Sequence, residues 1–559
     1  MKMMKCTTIV FMLTALVLTA CATSKHTGSL GIALLDKGYQ LERVVADTAL
    51  PGVNGAAIGS DGNLYVTHTG NGTITKVDLK TMQASLFVPP SGAVFIPDDI
   101  AADDKGNLYV TGTTPLVGEV YRVDRNGVRT VIADGMDAPN GIEYNPNNGR
   151  VFVTECFQGN RVFEVDPTGQ KPWRLLIDKD VIPVPEGFGF DPDTNDLIIP
   201  DMATGKILRV HPDIGAISTI AEKFVTPIAL TIGADKMIYM PELITGIVYR
   251  VSLDGKRREK LAQLPPGLDN VAITPEGRLF VTSYWNATIY EVSTDGSGQF
   301  KQLFPDGINQ TLGVVVKKSG PVVADAIMLR TVADGKYNAT KLNVWASHGM
   351  PLTLSLADGP GDQVFWTDSI HGAIAIGDPI KGEFKPVAGG LNRPASVLMD
   401  SAAPQIFVAE YGAGQISTVS LKDGSKAVLT KDLEGPLAMA MVDGTLYVAE
   451  SKVGRISAVN PKTGQKSVFL ASGVGKPGAI ADDGQGNLLI LDGAAQKLLR
   501  INPKTRAISI VAAHLPVEYA TVGSYPVAEF PLSMDVDRAG NIYFNTSNRG
   551  LMRLKKSTQ

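Results

Sequence analysis

Cysteine is almost missing from this chain, with 3 in 559 residues. Cys6 and Cys21 lie at the N-terminal end, which leaves Cys156 as the one thiol of the body and rules out a disulfide framework. Histidine is also scarce, and no two of the 6 are closely spaced, which argues against a zinc site. No His-Glu-x-x-His, Gly-Lys-Ser/Thr or Cys-x-x-Cys motif occurs. A formal net charge of -4 excludes a basic nucleic-acid surface. The clearest apolar run, Thr7 to Ala20, falls short of the roughly 20 residues a bilayer helix needs. Helical periodicity is nearly absent.

What is present is glycine (58), proline (34) and 44% hydrophobic residues, the composition of a turn-rich all-β protein large enough for more than one domain. A unit of about forty residues repeats. Its clearest copies begin Asp104-Lys-Gly-Asn-Leu-Tyr-Val-Thr and Asp537-Arg-Ala-Gly-Asn-Ile-Tyr-Phe. Each unit holds a hairpin with a glycine turn and two further strands, such as Val120–Val123 and Thr130–Ala133. Four strands at this period are a propeller blade. Twelve inner strands are predicted, starting near residues 55, 99, 141, 187, 229, 270, 313, 353, 396, 438, 479 and 533. Only 4 tryptophans occur, too few for blades pinned by recurrent Trp.

The fold class expected is all-β, as two tandem six-bladed β-propellers over 39–296 and 297–559. In each, the first strand of the half is expected to pair into its last blade, removing exposed edges. Leu41–Asp47 would complete blade six and Gln299–Phe304 blade twelve. The alternative is a single interwoven or twelve-bladed ring with the N-terminal strand on blade twelve.

One frame recurs just before each inner strand. Its middle positions in the first half are Asn54, Asp98, Asn140, Glu186, Ile228 and Asp269. In the second half they are Leu312, Leu352, Ala395, Leu437, Gly478 and Leu532. Repeat symmetry turns this spacing into proximity at one channel mouth. Asn54, Asp98, Asp99, Asn140, Glu186, Asp269 and Asn270 would gather oxygen donors there, suited to a hard cation such as Ca²⁺. The second ring, apolar at the same place, is expected to be non-catalytic. Asp99 or Asp269 is a candidate general base on water. His68, ending a second strand on the same face, is a third candidate. Cys156 reads as a small buried hydrophobe. Acids also end second strands in both halves: Glu155, Asp201, Glu242, Asp325, Asp368, Glu410, Glu450 and Asp492. These read as structural, with ion pairs Glu155–Arg161, Asp201–Lys206 and Glu450–Arg455.

Two resemblances extend this reading. Ala138-Pro-Asn-Gly-Ile-Glu-Tyr-Asn-Pro146, followed by Val151-Phe-Val-Thr-Glu155, resembles the blade of the senescence-marker/gluconolactonase family and of paraoxonases. Gly267-Leu-Asp-Asn-Val-Ala-Ile-Thr-Pro275 resembles the Asp-Asn motif of paraoxonase- and strictosidine-synthase-like propellers. The resemblance spans about residues 40–305 and implies a Ca²⁺-dependent lactonase or esterase, with Asn140, Asp269 and Asn270 as metal ligands and His68 as a base. It departs in two places: the families' early glutamate ligand is Asn54 here, and the Asp-Asn pair lies three blades after Asn-Gly, where paraoxonases place it one blade on. Separately, Lys2 and Lys5, the apolar run and Leu18-Thr19-Ala20-Cys21 resemble a bacterial lipoprotein signal. That implies a signal peptide over 1–20, lipidation of Cys21, a tether over 21–38 and attachment to a membrane, at the periplasmic face of the outer membrane in a Gram-negative host. The expected partners are that membrane and a small-molecule lactone or ester, with no nucleic acid. A non-enzymatic binding or scaffold propeller of the cell envelope is the second reading, since the fold hosts both.

Overall fold

The computed structural model describes residues 32–557, apart from 90–95, 113–117, 157–158, 180, 310, 326–327, 344–352, 518–531 and 548–549. The expected signal segment, Cys21 and most of the tether lie outside the described residues. So does Leu352.

Among the described residues there is no helix, and the strands form twelve antiparallel sheets. Second strands such as Leu64–His68, Val151–Glu155 and Leu488–Asp492 are buried at every position. Their apolar starts, Leu64–Val66, Val151–Val153 and Leu488–Leu491, follow from packing between two neighbouring blades. Outer strands, such as Ala84–Val88, face solvent. Among the described residues, thirteen buried apolar clusters make up the core. Six lie between consecutive blades of the first half, the last of them joining Phe280 and Ile289 of blade six to Val53 and Val66 of blade one. Six do the same in the second half, where Val45, Tyr543 and Leu551 of blade twelve meet Val314 and Val323 of blade seven. The inner strands thus contact in two closed cycles of six. The thirteenth cluster joins the two cycles.

The closure differs from the one expected. Tyr39–Val45 pairs with Leu551–Lys556 and completes blade twelve rather than blade six. Phe300–Gln302 stays on Thr288–Val292 as the fourth strand of blade six. Ala33–Leu34 adds a fifth strand to blade eleven. The boundary expected at 296/297 shifts accordingly, and residues 33–45 belong with the second ring. The first ring is an insertion, and its entry and exit lie side by side: Ile308 N–H donates to Thr48 Oγ1 at 3.1 Å. The reason is local. The fourth strand of blade six is already supplied by the chain that leaves its third, whereas blade twelve ends at its third strand and its edge needs a partner. Leu41 and Leu554 join the same cluster, and the Arg553 guanidinium pairs with Glu42 across the register.

Ser557 N–H donates to Gly38 O at 2.8 Å, so Gly38, Gln40 and Glu42 are the bonded positions of this strand, and Gln40→Pro removes a ladder donor from it. Hydrogen exchange is expected to rise at 551–556 and stay unchanged at 288–292. The reverse pattern would restore the closure through blade six.

Candidate active site

The mouth of the first ring is built by hydroxyl hooks between blades. Thr67 donates to the carbonyl of Asp98, Thr111 to that of Asn140 (2.5 Å) and Thr154 to that of Glu186 (3.2 Å). Thr282 of blade six donates to the carbonyl of Asn54 in blade one at 2.6 Å, which closes the circle. Each hook fixes a frame residue on the next blade. Blades four and five have Pro200 and Pro241 where the threonine would be. Proline has neither the hydroxyl nor an N–H for the ladder, and their inner strands shorten to Gly189–Phe190 and Thr231–Ile232. There the step between blades is a bridge from Gly187 to Ala229, with Leu230 N–H donating to Gly187 O at 3.0 Å.

These contacts resolve the frame into two tiers. The middle positions Asn54, Asp98, Asn140, Glu186, Ile228 and Asp269 rim the mouth. One residue deeper come Gly55, Asp99, Gly141, Gly187, Ala229 and Asn270. Four of these six are small because six strands crowd the axis. A Cβ on Gly55 would meet Asp99 Cα at 2.6 Å, and one on Gly141 would meet Thr154 Oγ1 at 2.6 Å and Gly187 Cα at 2.9 Å. The remaining two form a pair across the space, with Asn270 Nδ2 donating to Asp99 Oδ1 at 2.6 Å. Asp99 Oδ1 also accepts Ile100 N–H (2.8 Å), and Oδ2 accepts Ile142 N–H (3.1 Å). Asn270 Oδ1 accepts Val271 N–H at 2.8 Å. Asp99 and Asn270, grouped with the rim in the sequence reading, are therefore a floor under it.

The rim is strongly acidic for its burial. Glu186 is 1% exposed, and its Oε1 has no hydrogen-bond partner. Burial, then the fields of Asp269, Asp98 and Asp99, hold the Glu186 carboxyl well above the usual range. Asp269 keeps some solvent contact, yet burial and the same neighbours raise it too. Asn140 Nδ2 reaches Asp98 Oδ2 at 3.4 Å. On the floor, burial ahead of Asp98 pushes Asp99 up to about 7. Glu143, below it, is pushed up to about 8 by burial and by Asp99. Among the described residues no Lys or Arg engages Glu186 or Asp269. Nor do three His, Cys, Asp or Glu side chains among them draw together as a ready metal set. A cation here would need the amide oxygens of Asn54 and Asn140 beside the carboxylates. Cys156 is buried behind the cluster, and burial and the fields of Glu186, Asp98 and Asp269 raise its thiol, which makes it a poor nucleophile.

His68 has a different setting. It is 1% exposed, and its Nε2 meets Thr75 Oγ1, seven residues on, at 2.8 Å. Glu410 and Glu450 meet Ser417 and Ser457 at the same spacing. His68 thus occupies blade one's copy of the strand-end position. The acids there do more than pair with bases. They accept the N–H two residues ahead of a frame proline: Asp137 on Glu155 (2.6 Å), Val225 on Glu242 (2.7 Å) and Glu434 on Glu450 (2.7 Å). The ion pairs with Arg161 and Arg455 form at 2.5 Å. Asp201 instead takes Val184 N–H, Ala203 N–H and the Thr204 hydroxyl, and among the described residues it has no ion pair with Lys206. The sequence held a signal for this capping role, the proline two residues after each bonded amide.

In the second ring Leu312, Leu354, Ala395 and Leu437 share one buried cluster. Blade eight's frame falls on Leu354 rather than the expected Leu352, since Ser355 N–H donates to Thr367 Oγ1 at 3.1 Å as the deeper frame residue's N–H does to its threonine elsewhere. A cavity of about 620 Å³ occupies this channel, lined among others by Ala395, Leu437 and Leu532. The residues named as its lining all belong to the second ring, and the buried like-charged oxygens around Glu186 belong to the first.

Two outcomes follow from the tiers. Gly141→Ala is expected to cost about 1–3 kcal/mol of stability, read from urea midpoints. The folded state also keeps Asp99 protonated to about 7, above its ordinary 3.8. Folding then binds protons, so stability in chelator falls as pH rises through that window, by at most about 1.4 kcal/mol per pH unit. Asp99→Asn is expected to flatten the thermal midpoint against pH.

Residues 38–195 match the family model described as SMP-30/Gluconolactonase/LRE-like region. A gluconolactonase from Zymomonas mobilis subsp. mobilis is 28% identical over 171 residues, covering 26% of this chain and 48% of that protein. The chain thus spans about half the length of this curated relative. Among solved structures, a gluconolactonase from Xanthomonas campestris is similar at 15% identity and a TM-score of 0.37, covering 46% of this chain and 90% of that one. The GH74 xyloglucanase from Xanthomonas campestris is similar at 13% identity and a TM-score of 0.46, covering 93% and 100%. The Gly267–Pro275 motif lies outside the matched span. Residues 38–195, which hold the Ala138–Pro146 motif and the rim residues Asn54, Asp98, Asn140 and Glu186, are thus similar to the SMP-30/Gluconolactonase/LRE-like region.

Proposed function

We propose that the first ring binds a divalent cation, Ca²⁺, at its mouth and hydrolyses a lactone or ester there. The observation that carries this is Glu186 Oε1, buried and without a partner amid like-charged oxygens. Such a group is costly unless protonated or neutralised by a cation. Asn54, Asp98, Asn140, Glu186 and Asp269 would hold the ion. A bound Ca²⁺ supplies polarisation of the carbonyl and stabilisation of the developing oxyanion. Asp269, at the solvent side of the rim and made more basic than an ordinary carboxylate by burial and by Asp98 and Asp99, would take the proton from water. Asp99 and Asn270 hold the floor level, and His68 with Thr75 fixes the turn of blade one. The curated relative is a gluconolactonase, which makes a sugar lactone the first substrate class to try. Lipidation of Cys21 would tether the protein to a membrane of the cell envelope. A non-catalytic binding role is the second reading, favoured by the 620 Å³ cavity of the second ring, whose apolar walls also carry Asp358, Asp482, Asp535, Asp537 and Arg538.

Chelator-stripped protein is expected to gain about 2.7 kcal/mol of stability at a Ca²⁺ concentration of 100 Kd, read as a rise in thermal midpoint. Glu186→Gln and Asn140→Ala are expected to lose that rise, and Asp269→Ala to lose lactone hydrolysis by at least about 100-fold. No Ca²⁺ shift, together with hydrolysis that survives all three substitutions, would sink the site.

A further inference from the structure

The channel of the second ring is open at the level where that of the first is bridged. Asp99 and Asn270 bond across the first ring, and at the same depth blades eight and twelve carry Ser355 and Ser533. A serine side chain is too short to span the axis, and the cavity of about 620 Å³ runs past both. Its two ends are unlike. Toward the mouth it meets Leu354, Ala395, Leu437 and Leu532, which are 1%, 0%, 1% and 7% exposed. Leu532 folds over Gly478, where an added Cβ would lie 2.8 Å from its Cγ. At the far ends of the inner strands the cavity meets Ser401, Asp482 and Arg538, all exposed. It is thus lined with hydrocarbon at the mouth and open to solvent on the opposite face.

Polar groups along the bore are left without full partners. Ser396 is 6% exposed and lines the cavity, yet its hydroxyl bonds no group among the described residues, and neither does that of Ser355. Asp535 lies two residues below Ser533. Its Oδ2 accepts Val316 N–H at 2.7 Å and its Oδ1 accepts Val536 N–H at 2.8 Å, which leaves each oxygen a second lone pair. Among the described residues no Lys or Arg pairs with it. Burial, then the fields of Asp358 and Asp537, push its carboxyl up to about 6, which still leaves it ionised at neutral pH. A carboxylate held in such a bore is costly without a cation. The opening has the same sign: Lys317 pairs with Asp358, and Asp482 and Asp537 outnumber Arg538.

We propose that the channel of the second ring is a binding site for an organic monocation with an apolar body, a primary alkylamine. It enters from the face opposite the mouth, its ammonium group pairs with Asp535, and its chain lies toward Leu437 and Leu532. Small-molecule sites have volumes of about 300–1,000 Å³, and this cavity falls within that range. A carboxylate with spare lone pairs suits an ammonium donor, the excess of acid at the opening draws a cation in, and the closed apolar end takes hydrocarbon out of water. An anion would meet Asp535 and the acidic opening unfavourably. The proposal gives a ligand to the binding role named as the second reading. It does not depend on whether the first ring hydrolyses a lactone.

The test is calorimetric titration of the full chain at neutral pH with octylammonium chloride, octanol and octanoate. Octylammonium is expected to bind at least about tenfold tighter than octanol, and octanoate not to bind. Asp535→Asn is expected to abolish the preference for the amine over the alcohol. Ser396→Leu, which fills the bore, is expected to abolish binding of both. If Asp535→Asn does not melt cooperatively, Ser396→Leu decides where the amine sits. No binding of octylammonium, or binding that survives Ser396→Leu, overturns the site. A preference for the amine that survives Asp535→Asn overturns the pairing with Asp535. Octanol or octanoate binding as tightly as the amine, and lost in Ser396→Leu, overturns the cation and leaves the second reading of an apolar binding cavity.

Discussion

Crowding at the axis governs this molecule. Six strands cannot meet around a line unless most residues at the meeting level have little or no side chain. Gly55, Gly141, Gly187 and Ala229 provide that, and the space left over admits one carboxylate and one amide. Asp99 and Asn270 then bond blade two to blade six and, through Ile142, to blade three. Because this floor fixes the inner strands, residues one step above it must point around the mouth. The concentration of acid there is a by-product of the geometry that closes the ring, turned to use by the side chains placed on it.

The hooks explain why the two rings differ. Where the fourth residue of a second strand is threonine, as in blades one, two, three and six, a hydroxyl ties the next frame carbonyl. Those carbonyls belong to Asn54, Asp98, Asn140 and Glu186. Blade seven has Ala324 at that position and blade nine Ala409, and apolar packing among Leu312, Leu354, Ala395 and Leu437 takes over. The second ring has directional bonds of its own, such as Ser355 N–H to Thr367 Oγ1 and Asn545 Nδ2 to Thr311 O, but the side chains at its frame positions are apolar, which leaves only the first with a polar rim.

Much of this was legible in the sequence. Strand runs such as Val151–Glu155 and glycine turns at a forty-residue period fix blades, and frame polarity separates the rings. Three things were not legible. Which edge Leu41–Val45 seeks depends on which blade lacks a strand in space, and both candidate edges look alike in sequence. The split between rim and floor turns on a one-residue difference in depth, invisible until Asp99 meets Ile142 and Asn270. Blade eight's frame slid by two, to Leu354, because Leu352 and Leu354 are equally apolar. The capping role of strand-end acids could have been read, since the frame prolines lie at a fixed offset from the amides they cap.

The pairing of Tyr39–Val45 with Leu551–Lys556 sets an order on the protein's birth. Tyr39–Val45 is matched to a strand made about five hundred residues later. By then the inserted ring has its full complement of strands and can fold. Residues 39–45 meanwhile wait as an unpaired strand through nearly all of synthesis, prone to wrong partners. Their sequence, Tyr-Gln-Leu-Glu-Arg-Val-Val, carries Glu42 and Arg43 in its middle. Those charges discourage premature β-stacking until Arg553 arrives to meet Glu42.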